Sequence, residues 1–129
     1  MLHQSKSIAA RRQELGQRGE RFAVHVLQSH GYCIEKTNVR FPVGEIDIIA
    51  WDGQTLCFVE VRSASSMQWG GPFASVTDRK RRRLIRAAQW YLQRLRVLPM
   101  ETRFDVVGIQ WDGQSRPSAE LLKGAFFAE

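Results

Sequence analysis

Two apolar runs joined by an Asp-Gly pair constrain the fold of this chain more than any other feature. The runs EIDIIAWDG and TLCFVEVR are rich in β-branched and aromatic residues, and Asp52-Gly53 stands between them. This arrangement predicts a β-hairpin. Four charged residues interrupt the hairpin: Glu45, Asp47, Glu60 and Arg62. Charged groups in a buried sheet are costly unless a partner compensates them, so their presence raises a question of function as well as of fold.

Helical patterns lie on both sides of the hairpin. From about Ser7 to His30 apolar residues recur with a period of about 3.6, and Gly31 suits the left-handed position that ends a helix. Thr77 is a suitable N-cap for a second helix, and Pro99 lies beyond its end. Two further strands are predicted, a short one over Tyr32 to Glu35 and another within RFDVVGIQWDG. The order predicts an α/β protein with one central sheet and helices packed against it.

Length and charge limit the classes of protein that remain. The 129 residues fit one domain, with a basic segment at residues 1–12 that is a flexible arm or the first turn of a helix, and a weakly patterned tail at residues 112–129. No apolar run is long enough to cross a bilayer and no secretory signal is recognisable, so we expect a cytoplasmic protein without a membrane partner. The net charge of +6 favours a polyanionic partner such as nucleic acid.

The carboxylates of the hairpin point to a metal site. In a strand Glu60 and Arg62 project to the same face, and the hairpin can bring Asp47 close to Glu60 across the ladder. Two neighbouring carboxylates repel each other and lose hydration unless a cation compensates them. Arg62 could compensate one charge, whereas Mg²⁺ or Mn²⁺ could compensate both and activate a water that attacks a phosphate.

Two other acids are candidates for a third ligand. Glu20 lies at the edge of the apolar stripe of the first helix and could reach the end of the sheet, although a lone glutamate in that position is usually only solvated. Glu45 adjoins Asp47 in the sequence. We place Glu45 on the opposite face of the strand from Asp47 and rank it below Glu20.

The start of the second helix is unusually basic. Its first turns carry the residues Arg79, Lys80, Arg81, Arg82, Arg83 and Arg86. Cations at a helix N-terminus oppose the helix dipole and repel each other, so a solvated charged face explains one or two of them better than six. A phosphate backbone would explain them all, and we expect Arg79, Lys80, Arg82, Arg83 and Arg86 to contact nucleic acid.

The loop from Ser63 to Val76 carries two large aromatic residues, Trp69 and Phe73, among glycine and proline. Two interpretations stand equal. The rings could close over a bound substrate, with Trp69 as a nucleic-acid contact, or they could pin the loop to the core.

Several segments together resemble the YraN-like family of small bacterial proteins. They are GQRGERFAVHVLQSHGY, NVRFPVGEIDIIAWDG, LCFVEVRSASS, GGPFASVTDRKRRRLIRAAQWYL and RFDVVGI, which run from about Gly16 to Ile109. The resemblance implies a restriction-endonuclease-like core with a central mixed sheet flanked by helices, similar to Holliday-junction resolvases and other nucleases of the PD-(D/E)xK superfamily. It also implies that Asp47 and Glu60 bind Mg²⁺, with Glu20 as the additional helix acid of some members.

The sequence departs from the superfamily pattern at Arg62, where a lysine is expected. Arginine can hold a phosphate but cannot serve as a base, because its pKa exceeds about 12. Lys80 or Lys36 could take the place of the missing lysine, and the sequence favours neither. We therefore expect either a Mg²⁺-dependent DNA endonuclease or resolvase-like enzyme, with Asp47, Glu60, Arg62 and Glu20 as catalytic residues, or a non-catalytic nucleic-acid-binding module with the same fold. A subunit whose basic helix meets an acidic protein ranks third, and a homodimer is compatible with the first two.

Overall fold

The computed structural model describes residues 7–64, 72–73, 76–111 and 117–128. Two helices and five strands follow one another along this part of the chain. In order they are α1 (Ile8–Ser29), β1 (Cys33–Phe41), β2 (Gly44–Asp52), β3 (Thr55–Ala64), α2 (Asp78–Leu92), β4 (Glu101–Gln110) and β5 (Ser118–Phe126).

The five strands form one mixed sheet in the order β1-β2-β3-β4-β5. The pairs β1–β2, β2–β3 and β4–β5 are antiparallel, whereas β3 and β4 are parallel because α2 carries the chain back to the start of the sheet. The predicted α/β class with a central mixed sheet and flanking helices is therefore confirmed, and the arrangement is consistent with a restriction-endonuclease-like core.

Each face of the sheet packs against one helix. On one face Ala23 and Leu27 of α1 pack with Cys57 and Val59 of the sheet. On the other face the apolar side of α2 packs against a cluster that includes Phe58. Successive residues of β3 thus face opposite helices, as the period-two pattern predicts.

The hairpin and the helix ends form as predicted. Asp52 pairs with Thr55 at the end of the β2–β3 ladder, and Gly53 adopts a φ of 61°, which a tight turn of this kind needs. Gly31 ends α1 with a φ of 87°. At the start of α2 the Thr77 hydroxyl accepts a hydrogen bond from the backbone N–H of Lys80 at 3.3 Å.

The sequence pattern misses two features of the structure. Helix α1 begins at Ile8, as the pattern from about Ser7 predicts, whereas β1 continues to Phe41 rather than ending near Glu35. The predicted tail contains β5, an edge strand in which Gly124 adopts a φ of 62° and the register with β4 shifts. This irregularity breaks the period-two pattern by which a strand is recognised. Within the described ranges no helix is long and apolar enough to cross a membrane.

Candidate functional site

A cleft of about 480 Å³ opens where β2 begins and β3 ends, under the first turns of α2. Three acids line this cleft, namely Glu45, Asp47 and Glu60. Four cations also line it, namely Arg40, Arg62, Lys80 and Arg83. The two sets of residues that the sequence singles out, the hairpin acids and the basic helix, thus meet in one cavity.

Gly44 allows α2 to lie directly over the start of β2. A Cβ atom at this position would lie 3.4 Å from the backbone oxygen of Arg83 and 3.8 Å from the Ala87 side chain, so a methyl group would touch the helix and a larger group would collide with it. Its φ of 154° is also one that other residues rarely adopt. This close approach brings Lys80 and Arg83 to the cleft.

Asp47 stands at the point where the β2–β3 ladder stops. The last backbone pair is Ile48 with Val59, and beyond it the Asp47 carboxylate accepts a hydrogen bond from the backbone N–H of Val61 at 2.8 Å. The side chain therefore continues the contact between the strands after the backbone pairing has ended. Continued by one residue past the pair of Ile48 with Val59, the register places Asp47 opposite Glu60, a proximity that the predicted hairpin allows.

Burial disfavours the charged form of both carboxyl groups. Burial raises the pKa of Asp47 to about 8, with a further contribution from the charge of Glu60, and the Val61 N–H only partly opposes the rise. Burial also raises the pKa of Glu60, although the charge of Arg62 and a hydrogen bond from Asp47 counteract it. Around neutral pH the pair therefore favours holding a proton, or another cation, between its oxygens.

Arg62 provides only partial compensation for these acids. One guanidinium nitrogen lies 3.5 Å from Glu60 Oε1, at the long limit for a hydrogen bond, and 27% of the Arg62 side chain is exposed.

The neighbour of Arg62 on β4 is Gly108, where a Cβ atom would lie 3.0 Å from the Phe73 ring and 3.1 Å from Pro72. Phe73 thus packs onto the sheet beside Arg62, as the core-pinning interpretation of the loop predicts. Trp69 lies outside the described residues.

The basic residues of α2 divide into three groups. Lys80 and Arg83 line the cleft, and burial together with the positive charge of Arg62 lowers the pKa of Lys80 while Glu60 opposes the shift. Arg81 pairs with Asp78 at 3.7 Å, within its own helix. The remaining three, which are exposed along the same helix, are Arg79, Arg82 and Arg86.

Glu20 lies on α1, which packs on the face of the sheet opposite to α2. It follows Gly19, where a Cβ atom would lie only 3.2 Å from Ser63 Oγ, so α1 passes close to the end of β3. The Glu20 carboxylate accepts a hydrogen bond from the Asn38 amide at 2.5 Å and lines a separate cavity of about 170 Å³. Its charge nevertheless contributes to the raised pKa of Asp47. The structure thus places Asp47 and Glu60 in one cavity and Glu20 beside it, and within the described residues no three potential ligands form a group that could hold a metal.

Glu45 and its ladder partner Arg40 face away from α2, as the sequence interpretation expects, because their neighbours Ile46, Val39 and Phe41 pack on the α2 side. Glu45 lines the same cleft as Asp47, and it pairs with Arg40 at 3.4 Å. The rule that residues two apart in a strand share a face does not hold for Glu45 and Asp47, because the alternation of faces in β2 breaks between Ile46 and Ile48. Both side chains of the Glu45–Arg40 pair are more than half exposed, and the pair forms the rim of the cleft.

A second polar cluster, which the sequence analysis missed, lies on the α1 face of the sheet. Asp105 is fully buried and accepts hydrogen bonds from Tyr32 at 2.7 Å, from Arg103 at 2.8 Å and from the backbone N–H of Gly124 at 2.9 Å. Arg103 also contacts Asp52 at 2.7 Å. We call these four side chains and the Gly124 amide the Asp105 network.

The donors of the Asp105 network stabilise its charges. Burial acts to raise the pKa of Asp105, but the hydrogen bonds from Arg103 and Tyr32 outweigh burial and hold that pKa below its ordinary value. The only signal in the sequence is the pair Arg103 and Asp105, two residues apart in an otherwise apolar strand.

Comparison with known proteins identifies the family of this chain. It belongs to the uncharacterised protein family UPF0102, the YraN family, whose profile matches residues 19–109, and the resemblance seen in the sequence is confirmed. The chain is 45% identical over 117 residues to a UPF0102 protein of Desulfosudis oleivorans, which covers 91% of this chain and 93% of that protein. It is 40% identical over 122 residues to one of Dehalococcoides mccartyi, covering 95% and 100% respectively. These relatives carry the family name alone, so the activity must be inferred from the site.

Proposed function

We propose that this protein is a metal-dependent phosphodiesterase of nucleic acid, an endonuclease or resolvase-like enzyme that acts on DNA in the cytoplasm. The observation that carries the proposal is the composition of the cleft, in which the half-buried acids Asp47 and Glu60 stand among four cationic side chains. A site that needs both a small cation and an extended polyanion would have this composition. A purely structural ion-pair network would be expected to match each acid with a close cation.

The residues of the cleft fit a hard divalent metal. Asp47 and Glu60 offer only oxygen atoms, and their mutual repulsion is the kind that such an ion relieves. Mg²⁺ accepts one or two protein carboxylates and keeps several waters, so two acids are sufficient. When bound, Mg²⁺ or Mn²⁺ would polarise a phosphate and lower the pKa of an attacking water.

The remaining cleft residues act on the substrate. We assign Arg62, which projects beside Glu60, to the scissile phosphate. Lys80 and Arg83 lie on the α2 side of the cleft and would hold the adjoining phosphates. Arg79, Arg82 and Arg86 would extend this contact along the helix, which gives room for a duplex arm or a branched DNA.

The proposal is tested by cleavage of labelled branched and linear DNA with enzyme in excess, in Mg²⁺, in Mn²⁺ and in chelator. Wild type should cleave only with metal, and both Asp47→Asn and Glu60→Gln should lose cleavage while they remain folded. Glu120→Gln, which changes an exposed acid of β5, is the matched control and should cleave like wild type. Cleavage that survives in Asp47→Asn would refute the proposal.

One observation favours a second function, a nucleic-acid-binding module without chemistry. Arg62 stands where the superfamily has lysine and contacts Glu60, so the two could form a structural ion pair. DNA binding that ignores metal, together with a large loss of stability in Arg62→Ala, would favour this alternative. A gain of cleavage in Arg62→Lys would instead favour the enzyme.

A further inference from the structure

Asn38 has an unusual backbone conformation at a critical place. Among the described residues it is the only one other than glycine with a positive φ, at 53°. Asparagine tolerates the left-handed region better than most residues, and such positions often serve a function. Its neighbours Thr37 and Val39 pair with Ile48 and Ile46, so Asn38 lies directly across the ladder from Asp47.

Both strands are irregular at this level. The register of β1 and β2 holds on either side, but Asn38 and Asp47 themselves do not form a pair in the ladder. In β2, Ile46 and Ile49 both pack on the α2 side while Ile48 packs on the α1 side, so the alternation of faces breaks at Asp47. Because of this irregularity the two residues are not paired through their backbones, and the side chain of each makes a specific hydrogen bond instead.

The two hydrogen bonds extend in different directions. Asp47 accepts from the Val61 N–H of β3, and Asn38 donates its amide to Glu20 of α1 at 2.5 Å. Asn38 is exposed, so burial does not explain why this amide is present. The bond restrains a long carboxylate side chain that would otherwise lose little by turning into solvent.

We propose that Asn38 is a positioning residue, whose left-handed backbone and side-chain amide hold Glu20 beside the Asp47–Glu60 pair so that Glu20 acts on the bound cation through water. The inference rests on the proposed function and assigns a role to a residue outside the cleft. Glu20 is already close enough for its charge to be felt at Asp47. Residues that orient metal ligands typically change metal affinity or activity by about 10- to 100-fold when they are lost.

The test compares Asn38→Gly with Glu20→Gln by calorimetric titration of Mn²⁺. Glycine keeps the positive φ and removes the amide, whereas glutamine keeps the hydrogen bond and removes the charge. Each variant should bind Mn²⁺ about 10-fold more weakly than wild type, and the double variant should bind no more weakly than either one. DNA affinity in chelator should stay unchanged, while the single-turnover cleavage rate falls. Gln17→Ala, which alters another side chain of the same small cavity, is the matched control and should match wild type.

The possible negative results distinguish the role of Asn38 from the proposed function. If Asp47→Asn loses Mn²⁺ but Asn38→Gly binds it like wild type, the role of Asn38 is overturned and the proposed function stands. If wild type binds no Mn²⁺, with or without DNA, the proposed function fails and the inference fails with it. Circular dichroism establishes that each variant is folded. Should Asn38→Gly not fold, an unchanged Mn²⁺ affinity in Glu20→Gln alone would overturn the inference.

Discussion

The two acid clusters of this protein lie on opposite faces of one sheet and differ in how the negative charges of their carboxylates are compensated. In the Asp105 network, every acid receives a short hydrogen bond from Arg103, and the pKa of Asp105 and of Asp52 is lowered. In the cleft, Asp47 and Glu60 face each other, and the pKa of both is raised. In the first cluster Arg103 lies 2.7–2.8 Å from its acids, whereas within the described residues the contact of Arg62 with Glu60 in the second cluster is 3.5 Å long. This difference separates acids that serve stability from acids that serve a ligand.

The sharpest test of the comparison removes one acid from each cluster. Asp105→Ala leaves Arg103 and Tyr32 without their buried partner, and the free energy of unfolding should fall by about 3–5 kcal/mol. Asp47→Asn in chelator removes a carboxyl group that the fold disfavours, and stability should stay the same or rise. Urea denaturation measures both. If Asp47→Asn costs as much as Asp105→Ala, the distinction between the two clusters is wrong.

Added metal should raise the stability of the protein by binding at the cleft, and the Asp105 network should not contribute to this gain. If the cleft binds Mg²⁺, a concentration of 100 times Kd raises the free energy of unfolding by about 2.7 kcal/mol. Thermal denaturation of wild type should shift upward accordingly, and that of Asp47→Asn should not shift. A weakened but folded network variant, Tyr32→Phe, should keep the full shift. An equal shift in Asp47→Asn would place the metal elsewhere.

The two clusters predict opposite dependences of stability on pH in chelator. Because the folded pKa of Asp47 is about 8 and the ordinary value is 3.8, the folded state holds the proton more tightly, and stability falls as pH rises between these values. The slope is at most about 1.4 kcal/mol per pH unit for one proton. Asp105 has a lowered pKa, so its contribution is present above pH 3.8 and is lost as pH falls further. Urea denaturation of Asp47→Asn across this range should give a flatter curve than wild type, and an unchanged curve would contradict the assignment.

The smallest expected difference is between the losses of stability in two arginine-to-lysine variants, one in each cluster. Arg103 makes short bonds to Asp105 and Asp52 that a lysine cannot reproduce, so Arg103→Lys should lower stability measurably. Arg62 lies 3.5 Å from Glu60, at the long limit for a hydrogen bond, and is partly exposed, so we expect Arg62→Lys to change stability by less than about 1 kcal/mol. Paired denaturation curves test this. A larger loss at Arg62 than at Arg103 would identify the Glu60–Arg62 pair as structural.

Local rules predicted that the hairpin could bring Asp47 close to Glu60, but they did not give the register of the two strands. In the structure the Asp52-Gly53 turn sets the register of the hairpin, and that register places Asp47 across from Glu60. The Asp105 network escaped notice because its partner Tyr32 is 73 residues away, and the parallel pairing of β3 with β4 is set by packing rather than by a turn. Asn38 escaped for a related reason, since no pattern in one strand reveals a break shared by two.

Gly19 differs from its neighbours on α1 in the way it contributes to the site. It carries no functional group, yet its missing side chain sets the distance between the helix and Ser63, and hence the distance of Glu20 from the sheet. A larger residue there would push Glu20 outward while leaving most of the core intact. In a mutational scan scored for activity and for abundance, Gly19 should therefore group with the charged residues of the cleft, and a purely chemical list of important positions would omit it.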